Sequence, residues 1–563
     1  MLTVLKFLCI FGLFFGCGKT GIDLEQLGIG ETVQIKVGSA TPLSGNESTT
    51  FSFELEYEGT EDINLTAEHI DQVNSTITCS TITIINGTTS NPTVQLSNCN
   101  GNGAVSIEVK PGSTSSNEVF VEDSNPSVSV NSTLSDYWSW IAGSDQVGEQ
   151  GSYGPVGVFG SSYHPGGRKY AVVWSDNNGD IYLFGGDGFD GLGASGRLND
   201  LWKYDAGIQK WAFLGGPQTR NAGGDWGTRK VSSPSNWPSA RVTPSYTHDA
   251  SGNLWMYGGT GKDSADTYGR LGDLWKFDVS THEWTWVSGT NFADIAATNA
   301  SAGLGVYDPG NSPNRRYAGF AFFNNSTNEF YLFGGSIAAW FTWQNDMWSY
   351  SVSLDQWADR DNSSSGNGSY GTRGVEAPTN WPGARHYGAA AVNPVDGSFY
   401  VFGGEGNDAT GAQWVLSDLW KYNPSNGQWT WLAGSDTQGA AGVYGTQGVG
   451  DSANHPGGRF ALYGGSADSN GDFWVYGGYG KDSSGSGDGG LGDLWKYDHS
   501  NQHWVWMHGS NIFNPSTDHG TKNVGASSNT PGSSDTHTLF NINDKTYLFA
   551  PAGKSHSVWH FTE

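Results

Sequence analysis

Aspartates recur among glycines in several connecting segments of the second part of the chain. They are Asp187, Asp190, Asp263, Asp266, Asp482 and Asp488. Carboxylate oxygens are the hard ligands that calcium prefers, so a calcium site in these segments is one interpretation. None of the segments has the ligand spacing of an EF-hand loop. Solvated acidic turns are the alternative, and we expect no other metal or cofactor.

An arginine stands at the same place near the start of five similar segments. These residues are Arg168, Arg241, Arg316, Arg385 and Arg459. A guanidinium group donates to carbonyls and binds carboxylates bidentately, so each arginine can pair with neighbouring loop groups inside the protein. The alternative is a ring of cations that binds an acidic ligand.

Local catalytic motifs are absent from the sequence. Neither Gly-x-Ser-x-Gly nor His-Glu-x-x-His occurs. His164, His386 and His455 stand far apart, without the spacing of metal ligands. A pair of carboxylates for glycoside hydrolysis stays open, because the two groups need only meet in space at about 5–10 Å.

Composition and charge favour many short strands and exclude two classes of partner. The 563 residues include 83 glycines and 25 tryptophans, and 15% are charged. This profile is typical of strands joined by tight turns. The net charge of −27 excludes nucleic acid and anionic lipid surfaces as partners, because binding to them needs clustered lysine and arginine.

The first 17 residues are typical of an export signal. Lys6 is followed by an apolar run that ends at Phe15 and by Gly16 and Cys17. The end of this segment resembles a bacterial lipoprotein signal, in which the cysteine becomes the lipidated N-terminus. The sequence therefore predicts an exported protein of the cell envelope or outer surface, anchored through Cys17, or secreted if the signal is only cleaved.

Residues 25–130 alternate apolar and polar side chains in short runs, for example from Thr32 to Val37. A period of two residues predicts half-buried antiparallel strands, and a length of about 100 residues fits a small immunoglobulin-like β-sandwich. We expect this domain to act as a spacer. Cys79 and Cys99 lie in strand-like sequence, and an oxidising compartment would permit a disulfide between them.

Five similar units follow beyond residue 135, about 70–76 residues apart. Each has a diglycine after an apolar strand, as at Gly185-Gly186, then an Asp-Leu/Met-Trp strand, as at Asp200 to Trp202, and then a second tryptophan, as at Trp211. A fixed period of this kind indicates a repeat architecture.

The units resemble the kelch repeat, in which a diglycine after the second strand and spaced aromatic residues define one four-stranded blade of a β-propeller. A sixth unit lacks the diglycine and ends the chain after its third strand. Residues 136–144 match the fourth strands of the other units, so they are expected to complete the last blade. The resemblance implies an all-β protein whose residues 135–563 form a six-bladed kelch-type propeller after the sandwich.

Kelch-type galactose oxidases are catalytic relatives in this resemblance. They use copper and a cysteine cross-linked to a tyrosine. No cysteine lies beyond Cys99 in this chain, so their chemistry is excluded.

The second-to-third and inter-blade connections of such a propeller are long and emerge on one face, whereas the turns of the other face are tight. Tryptophans in these long connections that depart from the repeat are Trp226, Trp340, Trp343 and Trp414. Aromatic rings concentrate binding energy, so these four residues are candidate ligand contacts. The alternative is that the repeated loops pack on the next blade and have a structural role.

Together these features predict a monomeric binding or scaffold protein at the cell surface whose loop face takes a protein or polysaccharide partner. The membrane is reached only through the N-terminal anchor. A carbohydrate-active hydrolase or isomerase that uses loop-face carboxylates is the alternative.

Overall fold

The computed structural model describes residues 137–294, 303–338, 342–361, 366–534, 536–542, 544–550 and 555–563, and the backbone of eight strands between residues 33 and 120. The predicted lipidation site Cys17 and the predicted ligand contact Trp340 lie outside the described residues. The described chain is all-β, and no helix in it is long and apolar enough to cross a membrane.

The chain divides into two compact units, Met1–Ser135 with Val524–Ala526, and Asp136–Asn523 with Ser527–Glu563. The described strands of the first unit are β1 (Val33–Leu43), β2 (Thr49–Tyr57), β3 (Ile70–Gln72), β4 (Thr78–Ile85), β5 (Thr93–Asn100), β6 (Ile107–Val109), β7 (Gly112–Ser113) and β8 (Glu118–Phe120). Six of them form a sheet in the order β4-β5-β2-β1-β8-β7, and β3 pairs with β6.

The register of β4 and β5 places Cys79 directly opposite Cys99. Opposed residues of an antiparallel pair have Cα atoms about 4.5–5.5 Å apart. That separation is within the range that a disulfide spans, so the predicted disulfide agrees with the backbone and stays a prediction.

The second unit begins with β9 (Tyr137–Ala142), and its further strands fall into six groups in chain order, called sheets 1 to 6. In sheets 2 and 4 the hydrogen bonds divide the strands into a four-stranded body and a separate three-stranded sheet. Sheet 1 contains β10 (Phe159–Gly160), β11 (Arg168–Lys169), β12 (Val172–Ser175), β13 (Ile181–Phe189), β14 (Ser195–Asp205) and β15 (Lys210–Gly215). Sheet 2 contains β16 (Arg241–Val242), β17 (Ser245–His248), β18 (Leu254–Tyr257), β19 (Thr260–Lys262), β20 (Tyr268–Arg270), β21 (Gly272–Asp278) and β22 (Glu283–Thr290). Sheet 3 contains β23 (Tyr307–Asp308), β24 (Phe320–Asn324), β25 (Glu329–Ser336), β26 (Trp343–Ser351) and β27 (Gln356–Asp361).

Sheet 4 contains β28 (Arg385–His386), β29 (Ala389–Val392), β30 (Phe399–Phe402), β31 (Glu405–Asn407), β32 (Gln413–Val415), β33 (Leu419–Asn423) and β34 (Gln428–Ala433). Sheet 5 contains β35 (Arg459–Phe460), β36 (Ser466–Ala467), β37 (Phe473–Gly480), β38 (Gly489–Asp498) and β39 (His503–Gly509). Sheet 6 contains β40 (Thr538–Ile542), β41 (Lys545–Ala550) and β42 (Ser557–Thr562), and β9 pairs with β42 as its fourth strand.

Four antiparallel strands form the body of each sheet, from a first strand to a fourth. The first strands are β12, β17, β24, β29, β36 and β40. Each contacts the next in this order, and β40 contacts β12. Six antiparallel sheets with first strands in a cycle are compatible with a β-propeller-like fold.

The core lies between neighbouring sheets and consists largely of aromatic side chains. One apolar cluster occurs between each two consecutive sheets, including the pair of sheet 6 and sheet 1. The repeated tryptophans of the third and fourth strands, such as Trp202 and Trp284, are buried in these clusters. The tryptophans of the repeat therefore hold adjacent sheets together.

The diglycine within β13 has a conformation that other residues avoid. Gly185 and Gly186 have φ values of 66° and 95°. A Cβ atom on Gly186 would lie 2.8 Å from the carbonyl oxygen of Lys169, at the end of β11. The diglycine therefore permits a left-handed backbone and a close approach of the segment that precedes the first strand.

We predict that Trp138 contributes more to stability than Trp140, its neighbour on β9. Trp138 is fully buried and packs against Tyr476 and Phe561 of the last two sheets. Trp140 is partly exposed. Substituting Trp138 with Ala should lower the free energy of unfolding by about 3–5 kcal/mol, and Trp140→Ala should cost clearly less. Urea unfolding measures both, and equal losses would contradict the packing of β9.

Two buried histidines predict acid destabilisation. Burial lowers the pKa of His508 to about 4. Burial also lowers the pKa of His537 to about 4, although the hydrogen bond between its ring and the Ser534 carbonyl acts in the opposite direction. The unfolded chain has histidine pKa values of about 6.5 and takes up these protons first. The free energy of unfolding should therefore fall as pH falls from about 6.5 to 4, by up to about 1.4 kcal/mol per pH unit for each histidine. Urea titrations at several pH values test this, and a double His508→Gln, His537→Gln variant with an unchanged slope would contradict it.

Candidate functional site

The five repeated arginines are buried and paired with aspartates. Each guanidinium binds the aspartate of the following Asp-Leu/Met-Trp strand bidentately, with N–O distances of 2.6–2.8 Å. The pairs are Arg168–Asp200, Arg241–Asp273, Arg316–Asp346, Arg385–Asp418 and Arg459–Asp493. The interpretation of these five arginines as a ring of cations for an acidic ligand is therefore corrected, because none of their guanidinium groups is exposed.

The pair in sheet 4 shows what these groups hold. Arg385 also donates to the carbonyl oxygens of Gly383, at 3.0 Å, and of the diglycine residue Gly403, at 3.2 Å. Asp418 accepts further hydrogen bonds from Tyr370 and Trp420, at 2.6 and 2.7 Å. The pair therefore ties the incoming loop, the diglycine and the third strand together.

Electrostatics keeps the buried pair of sheet 1 ionised. In sheet 1, burial opposes the charge of Asp200, but the guanidinium of Arg168 outweighs it and holds the pKa of that carboxyl below its ordinary value. Burial likewise opposes the charge of Arg168, and Asp200 raises its pKa above the ordinary value.

Trp226 belongs to this arrangement and is not an exposed ligand contact. It is 5% exposed, and its indole N–H donates to Asp273 at 3.1 Å. Tyr370 and Tyr444 make the equivalent bond to their aspartates through a hydroxyl group. The prediction for Trp226 is therefore wrong. The sequence held the signal, because the Gly-Thr after Trp226 matches the Gly-Thr after Tyr370.

Trp343 and Trp414 lie in strands rather than in loops, because the second and third strands continue beyond the diglycine as hairpins. Trp343 is 3% exposed, and its ring lies 5.5 Å from that of His386. The prediction that Trp343 is an exposed ligand contact is therefore wrong, because this side chain is buried. Trp414 is partly exposed beside Phe460 and stays a candidate.

Three of the predicted calcium ligands cap hairpin turns. One oxygen of Asp190 accepts from the backbone N–H groups of Leu192 and Ala194, and the other accepts from that of Arg220, at 2.9–3.0 Å. These bonds outweigh burial and lower the pKa of the carboxyl. Asp263 and Asp482 make the same kind of contacts in other sheets.

The remaining acidic candidates lie apart from one another. Asp266 pairs with Lys262 at 2.6 Å, and Asp488 pairs with Lys481 at 3.2 Å. Asp187 stands opposite Lys169 on neighbouring strands. Among the described residues, none of these aspartates belongs to a cluster of three or more candidate metal ligands, and their observed contacts are with turns and lysines.

A cavity of about 350 Å³ runs along the first strands of all six sheets. At one end it reaches Tyr387 and Tyr463, and at the other it reaches the first-to-second turns at Asn177, Ala250 and Asn325. Its volume is within the range of small-molecule sites. The cavity therefore extends towards the face of the tight turns. From the sequence, the ligand contacts were predicted on the opposite face.

Four partly buried tyrosines, called the tyrosine cluster, lie at the loop-side end of the first strands: Tyr170, Tyr317, Tyr387 and Tyr463. The rings of Tyr170 and Tyr387 lie 5.0 and 5.4 Å from that of Tyr463, and Tyr317 lies 5.9 Å from Tyr387. Sequence reasoning missed this cluster. Its signal was a tyrosine shortly after the repeated arginines, as at Tyr170 and Tyr387.

Hydroxyl, amide and backbone groups provide most of the polar lining of the cavity, for example at Ser175 and Thr247. Among the described lining residues, Asp249 is the only carboxylate. Its oxygens accept from Ser251, Asn253 and Trp255 at 2.9–3.1 Å. The described lining therefore contains no pair of carboxylates for glycoside hydrolysis.

One histidine–carboxylate hydrogen bond lies next to the tyrosine cluster. Nε2 of His386 is 3.0 Å from Glu405, and the ring of His386 is 4.3 Å from that of Tyr387. Burial lowers the pKa of His386 although Glu405 opposes this, so the imidazole is neutral at neutral pH. A neutral imidazole beside a carboxylate is an arrangement that can take up a proton.

Comparisons with known proteins find solved structures of low sequence identity and low TM-score. No protein-family model matches the chain, and no curated protein matches it. A solved structure titled "Structure of YjhT" is 15% identical, covers 71% of this chain and 94% of its own, and has a TM-score of 0.40. A fungal alcohol oxidase of the AA5 family, in complex with copper, is 11% identical, covers 72% of this chain and 76% of its own, and has a TM-score of 0.37.

We predict that Asp418→Ala destabilises the protein by about 3–5 kcal/mol, because it leaves the buried charge of Arg385 without a partner. Tyr370→Phe is the matched control. It removes one hydrogen bond to Asp418 and keeps the pair, so it should cost about 1.5–3 kcal/mol. Thermal and urea unfolding measure both variants. A stable Asp418→Ala protein would contradict a structural role for the pair.

Proposed function

We propose that residues 135–563 form a six-bladed kelch-type β-propeller that binds a neutral sugar unit of a glycan in its central cavity. The observation that carries the proposal is a cavity of about 350 Å³ with hydroxyl and amide walls and a tyrosine end. Sugars present hydroxyl groups and apolar ring faces, which such groups recognise. A cavity without a lysine, arginine or glutamate among its described lining residues favours an uncharged ligand.

The propeller part of the proposal has independent support. The first strands follow one another in a cycle, and β9 pairs with β42, so strands from opposite ends of the repeat share one sheet. A closed ring removes exposed sheet edges. Six buried clusters between consecutive sheets agree with six blades.

The setting of the protein is part of the same proposal. The export signal and Cys17 support an envelope or cell-surface location, with secretion as the outcome if Cys17 carries no lipid. A polysaccharide at the cell surface is then the partner, and the first unit acts as a spacer. A monomeric propeller suffices, because the cavity lies inside one chain.

A binding role is favoured over hydrolysis, because the described cavity wall lacks a carboxylate pair. The bond between His386 and Glu405 supports one alternative, an isomerase or hydrolase that uses this pair for proton transfer at the loop-side end. Glu405→Gln separates the two roles. Under the binding proposal this variant keeps its affinity for the sugar, and neither protein turns the sugar over.

The test is calorimetric titration of the full chain with a panel of neutral mono- and oligosaccharides. Thr247→Val and Ser175→Ala each remove a hydroxyl from the cavity wall, so each should weaken binding about 2- to 13-fold and leave the melting temperature nearly unchanged. Trp414→Ala is the control on the loop face and should leave affinity unchanged.

The outcomes of this titration are distinct. Loss of affinity in Trp414→Ala with unchanged binding in both cavity variants would move the site to the loop face. Binding by no sugar of the panel would overturn the proposal. Turnover of a bound sugar that Glu405→Gln abolishes would establish the enzymatic alternative.

A further inference from the structure

Glu149, His164 and His556 meet at the junction of sheet 6 and sheet 1. Nε2 of His164 is 3.7 Å from one oxygen of Glu149, and Nε2 of His556 is 3.9 Å from the other. All three side chains offer a ligand atom, and these atoms lie within 4.8 Å of one another. The two imidazole rings are parallel, with centroids 4.7 Å apart.

Glu149 and His556 differ from the residues at the equivalent positions of the other sheets. Glu149 accepts a backbone bond from Gly167, and the residues that accept the equivalent bond in other sheets are Ala222, Gly366 and Ala440. His556 precedes the third strand, where other sheets have Asn199, Gly272, Asn345, Ser417 and Gly492. The fold therefore forms five times without a histidine at the position of His556, so packing alone does not require it.

His164 has a counterpart that serves as an internal comparison. The Nδ1 atoms of His164 and His455 lie 3.2 and 3.1 Å from the carbonyl oxygens of the prolines that follow them. A carbonyl oxygen only accepts, so Nδ1 carries the proton and Nε2 keeps its lone pair. Around His455 the equivalent neighbours are Ala440 and Ser417, which offer no carboxylate or imidazole.

His556 is buried, and one of its ring nitrogens is unpartnered. This side chain is 1% exposed, and its Nδ1 atom has no hydrogen-bond partner among the described residues. Arg168 and Lys522 are the cations near His556. Both have other partners, because Arg168 pairs with Asp200 and the ammonium group of Lys522 donates to the Gly143 carbonyl.

We propose that Glu149, His164 and His556 bind a transition-metal ion of the zinc class. Two imidazoles and one carboxylate are a ligand set that zinc uses, with bonds of about 2.0–2.2 Å. Tetrahedral bonds of that length place donor atoms about 3.3 Å apart, so the three ligand atoms, which lie within 4.8 Å of one another, would close by up to about 1.5 Å around the ion. Calcium is disfavoured, because it takes six to eight oxygen ligands.

The location gives the ion a structural role at the closure of the sheets. Glu149 follows β9, His556 precedes β42 and His164 lies between β10 and β11 of sheet 1, so one ion would link both strands of the terminal pair to the next sheet. A metal that binds only the folded chain stabilises it in proportion to its affinity. The inference does not depend on sugar binding, since the three residues are absent from the cavity wall.

The experiment titrates zinc chloride into the untagged, EDTA-treated full chain by calorimetry and records melting temperatures with and without the ion. The wild-type protein should bind one equivalent and melt at a higher temperature with zinc. Glu149→Ala and His556→Asn introduce residues that other sheets carry at these positions, so both should fold and bind at least 10-fold more weakly. His455→Ala is the matched control and should bind like the wild type.

Each result decides the inference. No binding of zinc by the wild-type chain would overturn it, and so would equal binding by the wild type and His556→Asn. Loss of binding in His455→Ala with retention in Glu149→Ala would place the ion elsewhere. If Glu149→Ala fails to fold, His556→Asn with the same zinc titration gives the answer.

Discussion

The buried arginine–aspartate pair is the interaction on which the rest of the repeat depends. Each pair joins the segment that enters a sheet to the third strand of that sheet, and the arginine also donates to the diglycine carbonyl. Burial of two charges is costly and is compensated only when the geometry satisfies both groups. The five pairs meet this requirement. Each aspartate also accepts a hydrogen bond from the tryptophan of its own strand, and most of them accept another from a tyrosine or tryptophan of the entering loop.

Sheet 6 lacks both members of the arginine–aspartate pair. Ser534 occupies the position of the arginine there, and Ser557 occupies that of the aspartate. Loss of one partner alone would leave an uncompensated buried charge, whereas loss of both leaves two small polar groups. The same sheet uses β9 as its fourth strand and carries His556 next to Ser557. The junction of sheets 6 and 1 is thus where the chain departs most from its own repeat.

The sequence predicted the all-β class, and that prediction is confirmed. Period and residue type indicated the strands and the diglycines, because these depend on local backbone conformation and on the spacing of buried tryptophans. The role of Trp343 could not be read in the same way, since its burial depends on a hairpin that extends past the diglycine. Trp226 lies in the connection between sheets 1 and 2, where the Gly-Thr that follows it was the sequence signal of its role. The meeting of Glu149, His164 and His556 joins residues about 400 positions apart in the sequence, so no local pattern predicted it.

The central claim of the proposal is that β9, paired with β42, completes a cycle of six sheets around the cavity. The most direct measurement is a disulfide between cysteines at Ser139 and His560, which are opposed in the register of β9 and β42. The account predicts that Ser139→Cys, His560→Cys forms this bond in the oxidised full chain, as peptide mass analysis after proteolysis would show. A chain in which Ser139→Cys instead links to a cysteine at Val558, or to neither position, would contradict the claim.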